Sequence, residues 1–474
     1  MQKITKTNFI QYLSCPREFW MKFNHPAKLP SPTLDEQFRM KQGYEVENAV
    51  RRLLTQRGDR PYDFQRFVFD GDLAARIDAL AEKPDGSHEI IEVKSIKSIP
   101  EDAPGRTKKL EEYMYDLAFQ LYVARNSGLN ITSVALATLN RDFVLGDELD
   151  LEQLIAFEDH TEAVEVLQQD VESLISAARE YLITGPGDDF ENLCGDKLKC
   201  VYFENFVPGL PHPNIFNLPR ITEKRLDPLI SQGILAISDI PPDASLTDSQ
   251  WDWVRFKLSE EKQIDKEAID EALDLEYPLY FLDYEAANPA IPVIKGMSPY
   301  QQITFQYSVH IRNAPGEEPV PFGFLSDGSD EPTRSVAEEL SRVIGDTGNV
   351  VVWFERFEKE RNAEMAALYP EFEAFMTSVN ERVFDLYEVF NKGLYKDPGM
   401  ANNKLKTVLP TLVPELSYSE LDIRNGGVAS VRWFEDVFRG DDQERKRLTL
   451  ESLREYCALD TLAMVRIMDY LAAL

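Results

Sequence analysis

The sequence predicts an α/β chain built from more than one domain, and three stretches predict it. Residues 67–95 alternate in part between apolar and polar positions on either side of an Asp-Gly turn, which reads as a hairpin with helical patterning before and after. Residues 277–285, YPLYFLDYE, read as a buried strand. Residues 350–366, VVVWFERFEKERNAEMA, pass from a buried strand into a helix that starts near Arg356.

A length of 474 residues suits two or three domains, and 43% hydrophobic residues are enough for ordinary globular cores. The reading is residues 1–208 as a first domain, 209–275 as a linker and small helical region, and 276–474 as a last domain. VPGLPHPNIFNLP at 207–219 has the Pro and Asn content of a linker. Residues 221–243 pattern as two short helices around Gly233. No run of 18 apolar residues predicts a membrane span, and the first 20 residues lack the apolar core of a signal peptide, so the cytoplasm is the expected location. Four cysteines, Cys15, Cys194, Cys200 and Cys457, are too few for a disulfide framework.

The net charge is 51 minus 82, or −31, which by itself disfavours a phosphate-binding partner. A nucleic-acid enzyme of this composition has to gather its cations into a groove and screen its acidic groups with metal ions.

The first candidate site lies on the hairpin. Residues two apart on a strand share a face, so Glu92 and Lys94 of EIIEVKS project together, and Asp78 at the end of the neighbouring strand can join them. Two carboxylates suit a hard divalent cation, and a lysine can position water and offset charge on a phosphate. The second candidate site starts from Asp283 and Glu285, also two apart on a strand. Tyr456 and Asp460 are four apart on an amphipathic helix and share one side of it. Glu358 falls in the first turn of the helix after VVVW. Four such carboxylates can converge on two metal ions.

The order and spacing of these residues carry two resemblances. Asp78, thirteen intervening residues, then Glu92-Val93-Lys94 resembles the core of the PD-(D/E)XK nucleases, restriction-endonuclease-like in fold, and specifically their RecB-like branch. KQGYEVENAVRRLL resembles that branch's first helix and puts Glu47 where many relatives have a metal-binding His. YDLAFQLYVARNSG resembles its Q-x-x-x-Y-like helix, which implies that Gln120, and Tyr122 with it, contacts substrate or supports Lys94. Relatives of this branch often close the domain with an iron–sulfur cluster on four cysteines. Cys15, Cys194 and Cys200 match three of them, but Phe206 stands near the fourth place, so they read either as a cluster site or as the remnant of one. Cys457 reads as a packing residue of the last helix.

Residues 278–474 resemble the DnaQ-like exonucleases of the RNase H-like class, in the tyrosine variant of the DEDD group. Asp283 and Glu285 match the first motif, and Tyr456 and Asp460 match the third. The second motif usually reads N-x-x-F-D; here FERFE puts Phe354 for the Asn and Glu358 for the Asp, with Asp385 as the fallback acid or a support of the fold. LKTVLPTL at 405–412 resembles the segment preceding the last helix of these enzymes. Gln302, Phe305 and Gln306 either line the groove or simply build the second strand.

The whole resembles a bacterial family that joins a RecB-like domain to a DnaQ-like one. This implies a nuclease with two centres: a 3′–5′ exonuclease with two Mg²⁺ or Mn²⁺ ions in the C-terminal domain, and RecB-like DNA cleavage with one or two such ions in the N-terminal domain. The expected partner is nucleic acid, DNA in preference to RNA. The alternatives are a nucleic-acid-binding module with one or both centres inactive, and an acidic protein-interaction scaffold.

Overall fold

The computed structural model describes residues 3–187, 209–328 and 331–474. The chain is α/β, and it divides into two compact units: Met1–Thr33 with Arg39–Arg255, and Leu34–Phe38 with Phe256–Leu474. By this division, residues 209–255 cluster with the N-terminal unit, where Ile215, Phe216, Leu226, Leu229 and Val254 form a small core of their own. Of the two helices expected around Gly233, the first is Glu223–Ser231; the second is a single 3₁₀ turn, Ile237–Asp239. Pro241 and Pro242 follow one residue after that turn and cannot continue a helix.

The N-terminal unit is built on six strands: β1 (Ile4–Thr5), β2 (Tyr62–Asp70), β3 (Leu73–Glu82), β4 (His88–Lys97), β5 (Ile131–Leu139) and β6 (Ile155–Asp159). Their order is β1-β3-β4-β5-β6, with β2 also paired to β3. The stretch FVFDGDLAARIDAL therefore holds two strands, broken at Gly71, whose φ of 56° suits a tight turn. The Asp85-Gly86 turn joins β3 to β4 as expected, with Gly86 at φ 81° and Ser87 bonded to Asp85. β4 and β5 are parallel, so the chain must cross over, and the Arg106–Asn126 helix makes the crossover. That helix buries Leu117, Phe119, Leu121 and Val123 against Ile77, Ile90, Val134 and Leu136.

The C-terminal unit contains β7 (Gln263–Ile264), β8 (Leu279–Ala287), β9 (Ile303–Arg312), β10 (Val320–Leu325), β11 (Val350–Val352), β12 (Val383–Asp385) and β13 (Tyr395–Lys396). Five of these form one sheet in the order β10-β9-β8-β11-β12; β7 and β13 pair separately. β8 is central, antiparallel to β9 and parallel to β11. Its burial on both faces explains the unbroken apolar run LYFL. The last helix, Gln443–Ala472, begins on an Asp442 side chain that accepts from the amides of Glu444 and Arg445. It packs Leu453, Tyr456, Met464, Ile467 and Leu471 into the same core as Phe281 and Phe305 of the sheet. No helix among the described residues is long and apolar enough to cross a membrane.

Candidate metal centre

The central strand and the last helix of the C-terminal unit bring three carboxylates together. One ligand oxygen from each of Asp283, Glu285 and Asp460 lies within 4.8 Å of the others. Asp283 and Glu285 share a face of β8, and the β8–β9 register shifts immediately after Glu285. Such irregularities re-aim side chains beside many sites. Asp460 comes from the Gln443–Ala472 helix, one turn after Tyr456 on the same buried side. Glu358, in the first turn of the Glu355–Leu368 helix, is 2% exposed, and its Oε2 has no hydrogen-bond partner. It stands outside the tight triad but within electrostatic reach of Asp283 and Glu285.

Burial and mutual repulsion hold these acids toward their protonated forms. Burial first, then the neighbouring carboxylates, push Asp283, Glu285 and Glu358 well above the usual range. Burial raises Asp460 to about 6, against the pull of the Tyr418 hydroxyl and the Lys406 ammonium. Such a cluster favours a cation, and its oxygen donors fit a hard divalent ion.

Tyr418, Lys406 and Cys457 surround the triad. Tyr418 donates its hydroxyl to Asp460 Oδ1 at 2.5 Å. Lys406, inside LKTVLPTL, donates to the Tyr456 hydroxyl at 2.8 Å and to the Arg424 carbonyl at 2.7 Å. Burial lowers its pKa, opposed by Asp460, Glu285 and Asp283. Cys457 is buried as expected of a packing residue, but it packs against the triad: Sγ lies 3.6 Å from Asp283 Oδ2. Burial, then the Asp283 charge, keep it a thiol.

Asp385, the fallback acid, has both oxygens engaged by backbone amides. Its Oδ1 accepts from the amides of Phe354 at 2.8 Å and Tyr387 at 3.1 Å, and its Oδ2 from Glu355 at 2.9 Å. It caps the Glu355–Leu368 helix from another strand, because Phe354 at the N-cap position has no capping side chain. Phe305 and Gln306 build the second strand and do not line a groove. Phe305 is fully buried and stacked on Trp433 at 4.3 Å, and Gln306 donates to the Leu453 carbonyl. Gln302 is partly exposed, just before β9.

In the N-terminal unit the expected set also meets. Lys94 Nζ donates to Glu92 Oε1 at 2.8 Å and to Asp116 Oδ2 at 2.5 Å. Gln120 is fully buried and bridges Glu92 Oε2 at 2.8 Å and Asp116 Oδ1 at 3.0 Å. Tyr122, two residues on, packs against the apolar core. Asp78 accepts from the Val93 amide at 3.0 Å. It lies within β3, one residue before the β3–β4 ladder begins at Ala79, so it sits where the two strands part. Glu47 reaches Asp78 through Gln65, whose amide donates to both at 2.6 and 3.3 Å. Lys6 donates to Glu92 Oε1 at 2.6 Å from 86 residues away. Lys6, Gln65 and Asp116 were not singled out from the sequence. Asp116 had a local signal, because it lies four residues before Gln120 on one helix face.

The electrostatics of this second site differ from those of the triad. Burial works against the Glu92 charge, but the Lys94 and Lys6 ammoniums outweigh it and hold Glu92 ionised. Burial and the Glu92 charge raise Asp78 to about 7. Two ammoniums hold Glu92 Oε1 and the Gln120 amide holds Oε2, so a cation here would compete with donors already in place. Among the described residues, the set of three carboxylates poised at ligand distance is the C-terminal one. Cys15 accepts from the Glu18 amide and starts the Pro16–Asn24 helix. Cys194, Cys200 and Phe206 lie outside the described residues.

Comparison with known proteins adds three findings. Residues 280–403 match the family model described as Domain of unknown function (DUF2779). The chain is 26% identical over 215 residues to the uncharacterized protein MG366 homolog of Mycoplasma pneumoniae, a match covering 40% of this chain and 32% of that protein. This chain thus spans about a third of the length of that relative. The crystal structure of SSO0001 aligns with 42% of this chain and 84% of its own, at 14% identity and a TM-score of 0.27.

Proposed function

We propose that this protein is a divalent-metal-dependent nuclease whose principal centre is the Asp283–Glu285–Asp460 triad with Glu358 beside it. The observation that carries the proposal is the convergence within 4.8 Å of three carboxylates, Glu285 and Asp460 buried and Asp283 half-buried, too much like charge to remain ionised without a cation. The Glu358 oxygen without a partner is a further donor facing the same charges. Mg²⁺ or Mn²⁺ held there would polarise a phosphodiester and lower the pKa of attacking water. Tyr456, held by Lys406, would orient that water, and Tyr418 would fix Asp460 for its role as ligand. In this reading the C-terminal unit is of the RNase H-like, DnaQ type and works from 3′ ends. The N-terminal unit is of the PD-(D/E)XK, RecB-like type, and its Asp78, Glu92 and Lys94 cut DNA as a second centre.

The test is degradation of end-labelled single- and double-stranded DNA and RNA with and without Mn²⁺. Asp283→Asn is expected to remove a 3′ ladder and spare Lys94-dependent cutting; Lys94→Ala is expected to do the reverse. If both variants cut like the parent, the assignments fall. If the parent binds nucleic acid in metal but never cuts it, the chain is a binding module and not a nuclease.

A further inference from the structure

Phe354 stands in a conformation that its own chemistry disfavours. Its φ is 75°, in the left-handed region, where a bulky side chain crowds the backbone. It is 51% exposed, although a phenyl ring gains by burial. Its ring contact is one edge-on approach to Tyr387, at 5.8 Å and 86°. Nothing in this packing offsets the strain locally. The conformation is imposed from outside by Asp385, which accepts from the amides of Phe354 and Glu355 together. The outcome is an aromatic face held open to solvent at the start of the helix that carries Glu358, four residues on.

Strain of this kind persists where surrounding structure over-determines it, and it gathers at ligand sites. A ring presented at the N-cap position, one helical turn before Glu358, is suited to stack an unpaired base, whose π face is available whatever its identity. We propose that Phe354 is a base-stacking residue that seats an unpaired nucleobase of single-stranded nucleic acid beside the metal centre. The inference rests on the nuclease reading of that centre and names its substrate as single-stranded at the point of attack. Phe354 stands where the related motif has an amide side chain, so this contact would be the chain's own device.

The test measures affinity of the full chain for a short oligothymidylate and for an abasic strand of equal length, in Ca²⁺, alongside Mn²⁺ affinity and melting temperature. The parent is expected to prefer the strand with bases. Phe354→Ala should weaken oligothymidylate binding roughly 5- to 150-fold and erase that preference, while Phe354→Trp should retain it. Phe354→Gly should lose the same affinity with a melting temperature equal to or above the parent's, because glycine accepts this backbone. Mn²⁺ affinity should stay within about twofold throughout. Unchanged oligothymidylate affinity in Phe354→Ala would overturn the proposal. So would a combined loss of melting temperature and Mn²⁺ affinity in Phe354→Gly, which would make the ring a structural element. A parent that binds bases through Phe354 but does not cut would uphold the stacking and remove the nuclease reading.

Discussion

The Tyr418 hydroxyl donates to Asp460 Oδ1 at 2.5 Å across 42 residues of sequence, and the Asp460 carboxylate is 5% exposed. This bond fixes one of the three triad acids without using a charged partner. Tyr418→Phe is therefore expected to lower metal-free stability by about 1–3 kcal/mol, the usual cost of depriving a buried acceptor of a hydrogen bond. Urea denaturation of both proteins checks it; coincident midpoints would show that the bond contributes nothing.

Stability should depend on pH in a direction set by the triad. Burial raises Asp460 to about 6, and Asp283 and Glu285 are raised as well, so the folded state holds their protons more tightly than the unfolded chain does. The Asp460 contribution is complete below about pH 4 and is lost as pH rises through about 6, and those of Asp283 and Glu285 are lost as pH rises through their own raised values. Asp283→Asn removes one of the repelling charges, so its stability relative to the parent should grow between pH 4 and pH 8. Adding Mn²⁺ at pH 8 should raise the parent's melting temperature and narrow that gap. A difference that stays flat with pH would mean that the carboxylates are hydrated in solution.

Gln120 is a neutral donor bridging two acids of the N-terminal cluster, Glu92 and Asp116. Gln120→Ala should cost about 1–3 kcal/mol, because both buried acceptors lose a partner and Lys94 alone still joins them. Gln120→Glu, which adds a third negative group between them, should cost more. Chemical denaturation orders the two variants; equal midpoints for all three proteins would refute the bridge.

Asp385 acts on the metal centre at one remove. Asp385→Ala deletes the cap of the Glu355–Leu368 helix and should cost about 0.5–2 kcal/mol of stability. Because that helix positions Glu358, Mn²⁺ affinity should fall as well. Asp385→Asn retains one acceptor oxygen and should recover part of both. Calorimetric titration with Mn²⁺ separates this from direct ligation, in which Asn would be as damaging as Ala.

The parts of the two sites legible in the sequence are those fixed by local period. Glu92 with Lys94 and Asp283 with Glu285 follow from alternation along a strand; Tyr456 with Asp460 follows from one helical turn. Asp116 is legible on the same ground, four residues before Gln120 on one helix face. The Gly71 break was readable too, since Asp70-Gly71 is as good a turn signal as Asp85-Gly86.

The amino-acid order alone thus determined the α/β class, the chief strands and helices, and the residue pairs each element presents, because backbone geometry makes near neighbours share a face. Packing alone decided that Lys6 meets Glu92 across 86 residues, that Lys406 meets Tyr456 across 50, and that Cys457 lies against Asp283 across 174. It likewise turned Asp385 from a free acid into a helix cap and held Phe354 in the left-handed region. Contacts of that range depend on how strands order themselves in a sheet and which helix covers them, and no short-range period encodes either.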